Sequence, residues 1–179
     1  VSSGAVYGDT AVVPTPEDAP FPVQTSFYGA SKLAAEALIT AHAEAFGIRA
    51  WIFRCVSMLG PRYTHGHVFD FTRQLRADPS RLAVLGDGRQ RKSYLHVTDA
   101  VAAMLHAVEA AEARVSILNL GTEATVTVDE SVAIITEHLG LAPRIAHGGG
   151  DRGWVGDSPL ILLDTRRIRT LGWVPRHDI

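Results

Sequence analysis

The chain has 179 residues, 46% hydrophobic and 20% charged, with a formal net charge of −2, so it can build a core and lacks the composition of a disordered segment. Its basic residues are scattered, which argues against nucleic acid as a partner, and no run approaches the roughly 18 apolar residues of a membrane span. Cys55 is the only cysteine, which excludes an intrachain disulfide and a cysteine-based zinc cluster and leads us to expect a reducing, cytoplasmic setting.

Glycine and proline punctuate the chain into short strands alternating with helices, the pattern of an α/β domain. Residues 9–26 carry Pro14, Pro16, Pro20 and Pro22 and read as an ordered surface loop. Tyr28 to Phe46 is rich in Ala and other strong helix formers, and Gly47 follows as a C-cap, so this is the clearest helix. Ile48 to Val56 is almost continuously apolar, as in a strand covered on both faces of a parallel sheet, and Gly60-Pro61 closes it. A helix over 66–77 stops before Pro79; Leu82 to Leu85 is a strand, Gly86 to Gly88 a turn, and Lys92 to Val97 another strand. Thr98 is expected to cap a helix reaching Glu112, with Ala102, Ala103 and Leu105 facing the core. Ser116 to Leu120 reads as a strand, Asp129 to Leu139 as a helix ended by Gly140, and Ile145 as the middle of a brief strand. Gly148 to Gly150 is a break, and Thr165 to Leu171 a last short helix. The succession predicts the second half of a Rossmann-type, doubly wound parallel sheet with a smaller C-terminal lobe.

Tyr28 and Lys32 stand four positions apart at the start of the clearest helix, so both side chains leave from one face and the ammonium can lie beneath the phenol. A nearby cation favours phenolate, drawing the phenol's pKa down from about 10 and making it a usable proton acceptor. The same spacing also suits a helix start with an exposed lysine. His65-Gly66-His67 places two imidazoles about a glycine, but no third ligand is near in sequence, and ordinary histidines are the better reading. His96 and His106 read as plain strand and helix positions, and Trp51, Trp154 and Trp173 as packing residues.

Upstream of the pair lies Ser2-Ser3-Gly4-Ala5-Val6-Tyr7-Gly8; downstream lie Arg54 through Gly60-Pro61-Arg62, Gly86-Asp87-Gly88 through Tyr94-Leu95-His96-Val97-Thr98-Asp99, Asn119-Leu120-Gly121 and Leu171-Gly172-Trp173. With these stretches the chain resembles, over essentially its whole length, the extended short-chain dehydrogenase/reductases, and within them the nucleotide-sugar 4-epimerases. The resemblance implies NAD as cofactor and a nucleotide sugar, of the UDP-glucose/UDP-galactose type, as substrate. It implies oxidation of the fourth sugar carbon to a transient ketone and return of the hydride to the opposite face. Tyr28 would accept the proton, Lys32 would lower its pKa and hold the nicotinamide ribose, and Ser3 would bond the same sugar oxygen.

For the substrate, the resemblance points to Ser57, His67, Arg91, Lys92, Arg152 and Asp157. Ser57 replaces the Asn usual in UDP-glucose epimerases, and some uronate epimerases carry a hydroxyl there. His67 falls at a uridine-contacting position; Lys92, with Arg91 beside it, takes the place of a phosphate-binding Arg but lacks its bidentate fork. Arg152 and Asp157 resemble a late pair that grips phosphate and ribose. Arg62 is either the structural residue of a Gly-Pro-Arg turn or a group reaching an anionic sugar.

Gly4 and Ala5 stand where dehydratases carry Asp-Glu and where decarboxylating relatives keep a Glu. Neither moves a proton, so epimerisation is favoured. The alternatives are a UDP-glucuronate 4-epimerase, a dehydratase, decarboxylase or reductase of the family, and a catalytically silent NAD-binding scaffold, which would not need Ser3, Tyr28 and Lys32 together. No strand in this reading runs through the family's Gly-x-x-Gly-x-x-Gly turn into a helix, and the Gly148-Gly149-Gly150 run leads instead into a polar loop. The chain is therefore expected to be the C-terminal part of a larger enzyme and to bind NAD poorly by itself. Residues 1–58 and 88–122 would belong to the NAD-binding domain, and 59–87 and 123–179 to the substrate-binding lobe. By resemblance, the face bearing Ala34, Ala37, Ala41 and Ala45 is expected to support a homodimer.

Overall fold

The computed structural model describes every residue except Pro22 and Val155. In chain order the elements include β1 (Ser2–Ser3), a 3-10 turn (Gly4–Tyr7), α1 (Phe27–Phe46), β2 (Ala50–Cys55), β3 (Ser57–Leu59), α2 (His67–Ala77), β4 (Arg81–Val84) and β5 (Arg91–Lys92). They continue through β6 (Tyr94–His96), α3 (Val97–Ala110), β7 (Val115–Leu120), β8 (Val126–Thr127), α4 (Val128–Leu139), β9 (Arg144–His147) and α5 (Arg166–Thr170). No helix among the described residues is long and apolar enough to cross a membrane.

Packing divides the chain into two compact units. The first comprises Val1–Leu59, Ser93–Thr125 and Ile161–Ile179. In it β1, β2 and β7 run parallel in the order β1-β2-β7, in a register that sets Ser3, Cys55 and Leu120 side by side at the carboxyl ends. β2 takes the centre because Ile52, Phe53 and Cys55 are buried on successive faces, as the apolar run predicts. The core gathers Val6, Phe53, Val56, Leu95, Leu118, Leu120, Leu163, Ile168 and Trp173. α1 begins at a Ser26 cap, whose hydroxyl accepts from the Gly29 amide at 3.0 Å, and ends at Gly47 in the left-handed region.

Several expectations need correction in this unit. α3 is capped by His96, whose side chain accepts from the Thr98 amide, not by Thr98 itself. Its inward stripe is Ala100, Ala103 and Ala107, while Ala102 is exposed and Leu105 is 63% exposed. The proline-rich loop forms no helix, yet it is more than a surface strap: Thr15, Glu17 and Ala19 are buried, and the Thr15 backbone bonds to Leu162 and Asp164. Pro22, part of that reading, lies outside the described residues.

The second unit comprises Gly60–Lys92 and Val126–Leu160. β4 pairs with β9 in parallel, β5 with β8 antiparallel, and Phe71, Leu75, Leu82, Val84, Val128 and Val132 make a smaller core. α4 opens on a capping box: Thr127 Oγ accepts from the Glu130 amide at 3.0 Å and the Glu130 carboxylate accepts from the Thr127 amide at 2.6 Å. The strand expected over 92–97 is two strands broken at Ser93, where the boundary between the units falls. Ser93 is buried and its hydroxyl bonds to Thr122 at 3.2 Å. Residues 161–179, read from sequence as lobe, pack with the first unit because Leu163, Ile168 and Trp173 complete its core, and residues 88–92 pack with the second.

Candidate active site

Ser3 closes β1, and its hydroxyl accepts from the Ala5 amide at 3.2 Å, starting the 3-10 turn. Tyr28 is the second residue of α1, with Lys32 one turn further on. Lys32 Nζ lies 5.7 Å from the centroid of the Tyr28 ring and donates to the Val1 carbonyl at 3.2 Å. The ammonium thus sits between the phenol and the strand that carries Ser3, while Tyr28, at 53% exposure, stays open to a ligand.

Gly29 explains how the helix start reaches that strand end. A Cβ at this position would come within 2.6 Å of the Ala5 carbonyl oxygen and 2.7 Å of Gln24 Oε1, so only glycine permits the approach. Gln24 holds the same segment by donating to the Val6 carbonyl at 2.7 Å. Ser57 is exposed just beyond the end of β2, in register with Tyr94. Ser3 and Ser57 therefore stand at the carboxyl ends of parallel strands, where ligands of open α/β sheets bind.

In the second unit, Lys92 Nζ donates to Asp157 Oδ1 and to the Ser158 carbonyl, both at 2.6 Å. Arg152 Nη1 donates to the Asp157 carbonyl at 2.6 Å, and the Gly153 amide donates to Asp157 Oδ2 at 3.0 Å. Two cations thus converge on one acidic residue, and Lys92 is already engaged by Asp157 rather than presented alone. Burial, and next the Lys92 charge, pushes the His67 pKa down to about 4, so this imidazole is neutral near pH 7. Arg91 is exposed beside Lys92, and Arg62 is exposed with φ 67°, in the left-handed region.

The His65 and His67 rings lie against Tyr63 and Phe71, each at 5.3 Å, and among the described residues no three metal-ligating side chains gather. Trp173 is buried as expected, but Trp154 is 59% exposed and does not pack; Val155, next to it in the Arg152–Asp157 stretch, lies outside the described residues.

A family model described as the NAD dependent epimerase/dehydratase family matches residues 1–121. The chain belongs to this family. The UDP-glucose 4-epimerase of Azospirillum brasilense is 33% identical over 199 residues, which cover 99% of this chain and 55% of that relative. A crystal structure of a UDP-galactose 4-epimerase is 40% identical with a TM-score of 0.88, covering 98% of this chain and 57% of that one. The protein MoeE5, solved in complex with UDP-glucuronic acid and NAD, is 31% identical with a TM-score of 0.86, covering 99% and 58%. The chain spans about half the length of the curated relatives it matches.

Members of this family depend on NAD. The residues here fit the nicotinamide–ribose end of that cofactor: an ammonium, with three donors, stands beside an exposed phenol at the sheet's carboxyl edge. The pyrophosphate cradle is another matter. Among the described residues no strand leads through a glycine-rich turn into a helix; Gly148 and Gly149 instead follow β9 and spend their amides on the Val84 and Gly86 carbonyls.

Sequence reading missed Gly29, Gln24 and the buried pair Glu36 and Arg54. Arg54 did carry a signal, since the one charge within the apolar strand needs a partner of opposite sign, whereas Glu36 shares its helix with Lys32 and Glu44 and does not stand out.

Proposed function

We propose that this chain is the proton-transfer and sugar-binding part of a nucleotide-sugar 4-epimerase acting on UDP-glucose or UDP-galactose. The observation that carries the reading is Lys32 Nζ 5.7 Å from the Tyr28 ring on a helix whose start rests against the segment of Ser3. Tyr28, as phenolate, takes the proton of the sugar C4 hydroxyl as the C4 hydride leaves, and gives it back when the ketone is reduced on its other face. Lys32 sets its positive charge beside the Tyr28 ring and holds the ribose of the cofactor. Ser3 bonds the same oxygen, placing its proton toward Tyr28 and strengthening as negative charge develops there. NAD, when bound, supplies the hydride acceptor and donor.

Gly4 and Ala5 support epimerisation over elimination or decarboxylation. Gly4 is buried, with its would-be Cβ 3.4 Å from Leu163, so the position beside Ser3 offers packing rather than an acid or base. For the nucleotide end, Arg152 and Arg91 are the cations for the diphosphate, Lys92 acts through its pair with Asp157, and neutral His67 offers a hydrogen bond to the base. A uronate substrate is the second reading, favoured by Ser57; MoeE5, solved with UDP-glucuronic acid and also with UDP-glucose, is compatible with either sugar. The exposed face of Ala34, Ala37, Ala41 and Ala45, flanked by exposed Leu38, is the surface for a homodimer.

The test uses the full-length protein with UDP-glucose, UDP-N-acetylglucosamine, UDP-glucuronic acid and dTDP-glucose, scoring any epimer formed. Tyr28→Phe should bind the sugar nucleotide as before and lose about a thousandfold in turnover, within the usual range for a displaced acid–base group. Unchanged turnover would reject Tyr28 as the proton acceptor.

A further inference from the structure

Arg54 and Glu36 are 2% and 4% exposed, among the most deeply buried charges described in the first unit. Arg54 Nε donates to both Glu36 carboxylate oxygens at 3.1 Å, and Nη2 donates to Oε2 at 2.7 Å. The same carboxylate accepts from the Ser2 hydroxyl. On its other side the guanidinium donates through Nη1 to the Tyr7 hydroxyl at 2.7 Å and the Glu17 carbonyl at 2.8 Å. The Tyr7 hydroxyl in turn donates to Asn119 Oδ1 at 2.9 Å. One guanidinium therefore joins β2, α1, the 3-10 turn and the proline-rich loop.

The partners stand in a telling order. Glu36 follows Lys32 by one helical turn and Tyr28 by two, so it belongs to the same side of α1. Ser2 immediately precedes Ser3, and Ser2 and Ser3 pair with Arg54 and Cys55 in the sheet. Apart from Glu36, α1 fully buries only Gly29 and Ala43 among the described residues. Leu33 packs on the core only partly buried, and such small or half-buried apolar contacts fix the axial position of a helix loosely, whereas a guanidinium fork on a carboxylate admits one placement. Stability by itself is a weak reason for such a pair, because apolar residues of similar volume often serve as well.

We propose that Arg54 and Glu36 are positioning residues that set the axial register of α1 on the sheet and so place Tyr28 and Lys32 against Ser3. The proposal rests on the roles proposed for those three residues.

The test compares full-length parent protein with the double variant Glu36→Leu/Arg54→Met, which removes both charges together, and with Arg54→Lys, which keeps the charge and loses the fork. Each carries 3-fluorotyrosine at position 28 for 19F NMR, and kcat and KM are measured with UDP-glucose. The double variant should keep its thermal midpoint within about 5 °C, move or split the fluorine line, and lose roughly ten- to a hundredfold in kcat with KM changed less than about twofold. Arg54→Lys should lie between parent and double variant in both readouts. A folded double variant with the parent's fluorine line overturns the proposal. Should the double variant not fold, Arg54→Lys decides: an unmoved line and unchanged kcat overturn it, a moved line with lowered kcat supports it. A parent that epimerises no sugar defeats the proposed function, while the fluorine comparison still decides the positioning.

Discussion

A charge inside a protein survives next to its counter-charge, and removing one partner strands the other. Arg54→Ala would leave the Glu36 carboxylate buried against Ser2 alone, and should lower stability by about 3–5 kcal/mol in urea unfolding. The paired apolar replacement should cost much less, and that contrast separates a stranded charge from a lost cavity filling. His67 is the second residue whose surroundings set its chemistry. Its folded pKa of about 4 lies below the unfolded value of about 6.5, so between these values the unfolded chain binds more protons. Its contribution is present above pH 6.5 and is lost as pH falls toward 4, by at most about 3 kcal/mol. The thermal midpoint should therefore fall more steeply over that window in the parent than in His67→Gln, as read by calorimetry at stepped pH.

At the scale of elements, starts and stops were more legible than faces. Gly47 and Gly140 end α1 and α4 in the left-handed region as their places after helix-forming runs predict. The cap of α4 should be worth about 1 kcal/mol, measured as the loss in Thr127→Ala by denaturant titration. In α3 the sequence names the helix but not its inner stripe, because alanines occur around its circumference and the sheet selects Ala100, Ala103 and Ala107. At the start of α1, Gly29→Ala should push the helix off the Ala5 carbonyl. Helix content by circular dichroism should barely change, since alanine suits a helix, while kcat of the full-length protein should fall at least about tenfold. Equal activity would mean that the contact at Gly29 does not place Tyr28.

The molecule as a whole is two cores of unequal size. The first unit surrounds the three-stranded parallel sheet of β1, β2 and β7; the second has the smaller core and the two-stranded pair of β4 and β9, which is marginal by itself, while β5 lies between β8 and the short strand Leu160–Ile161. In hydrogen exchange, amides of β2 and β7 should outlast those of β4 and β9, because opening the small core exposes less apolar surface. The division itself was only half visible. Gly60-Pro61 marks one boundary plainly, but residues 161–179 return to the first unit through Leu163, Ile168 and Trp173, a choice made by where apolar side chains find partners.

Sequence alone determined what is local or repeated as motif: the helix after the proline-rich loop, the apolar central strand, and the pairing of Tyr28 with Lys32, which follows from the pitch of a helix. Family membership, too, was written in short stretches of residues. Only the tertiary structure decided that Arg54 reaches Glu36, that Asp157 engages Lys92, and that the start of α1 needs a glycine against Ala5. Each of these contacts joins segments brought together by burial of a shared core, and the periodicity of neither segment specifies which group of the other it will meet.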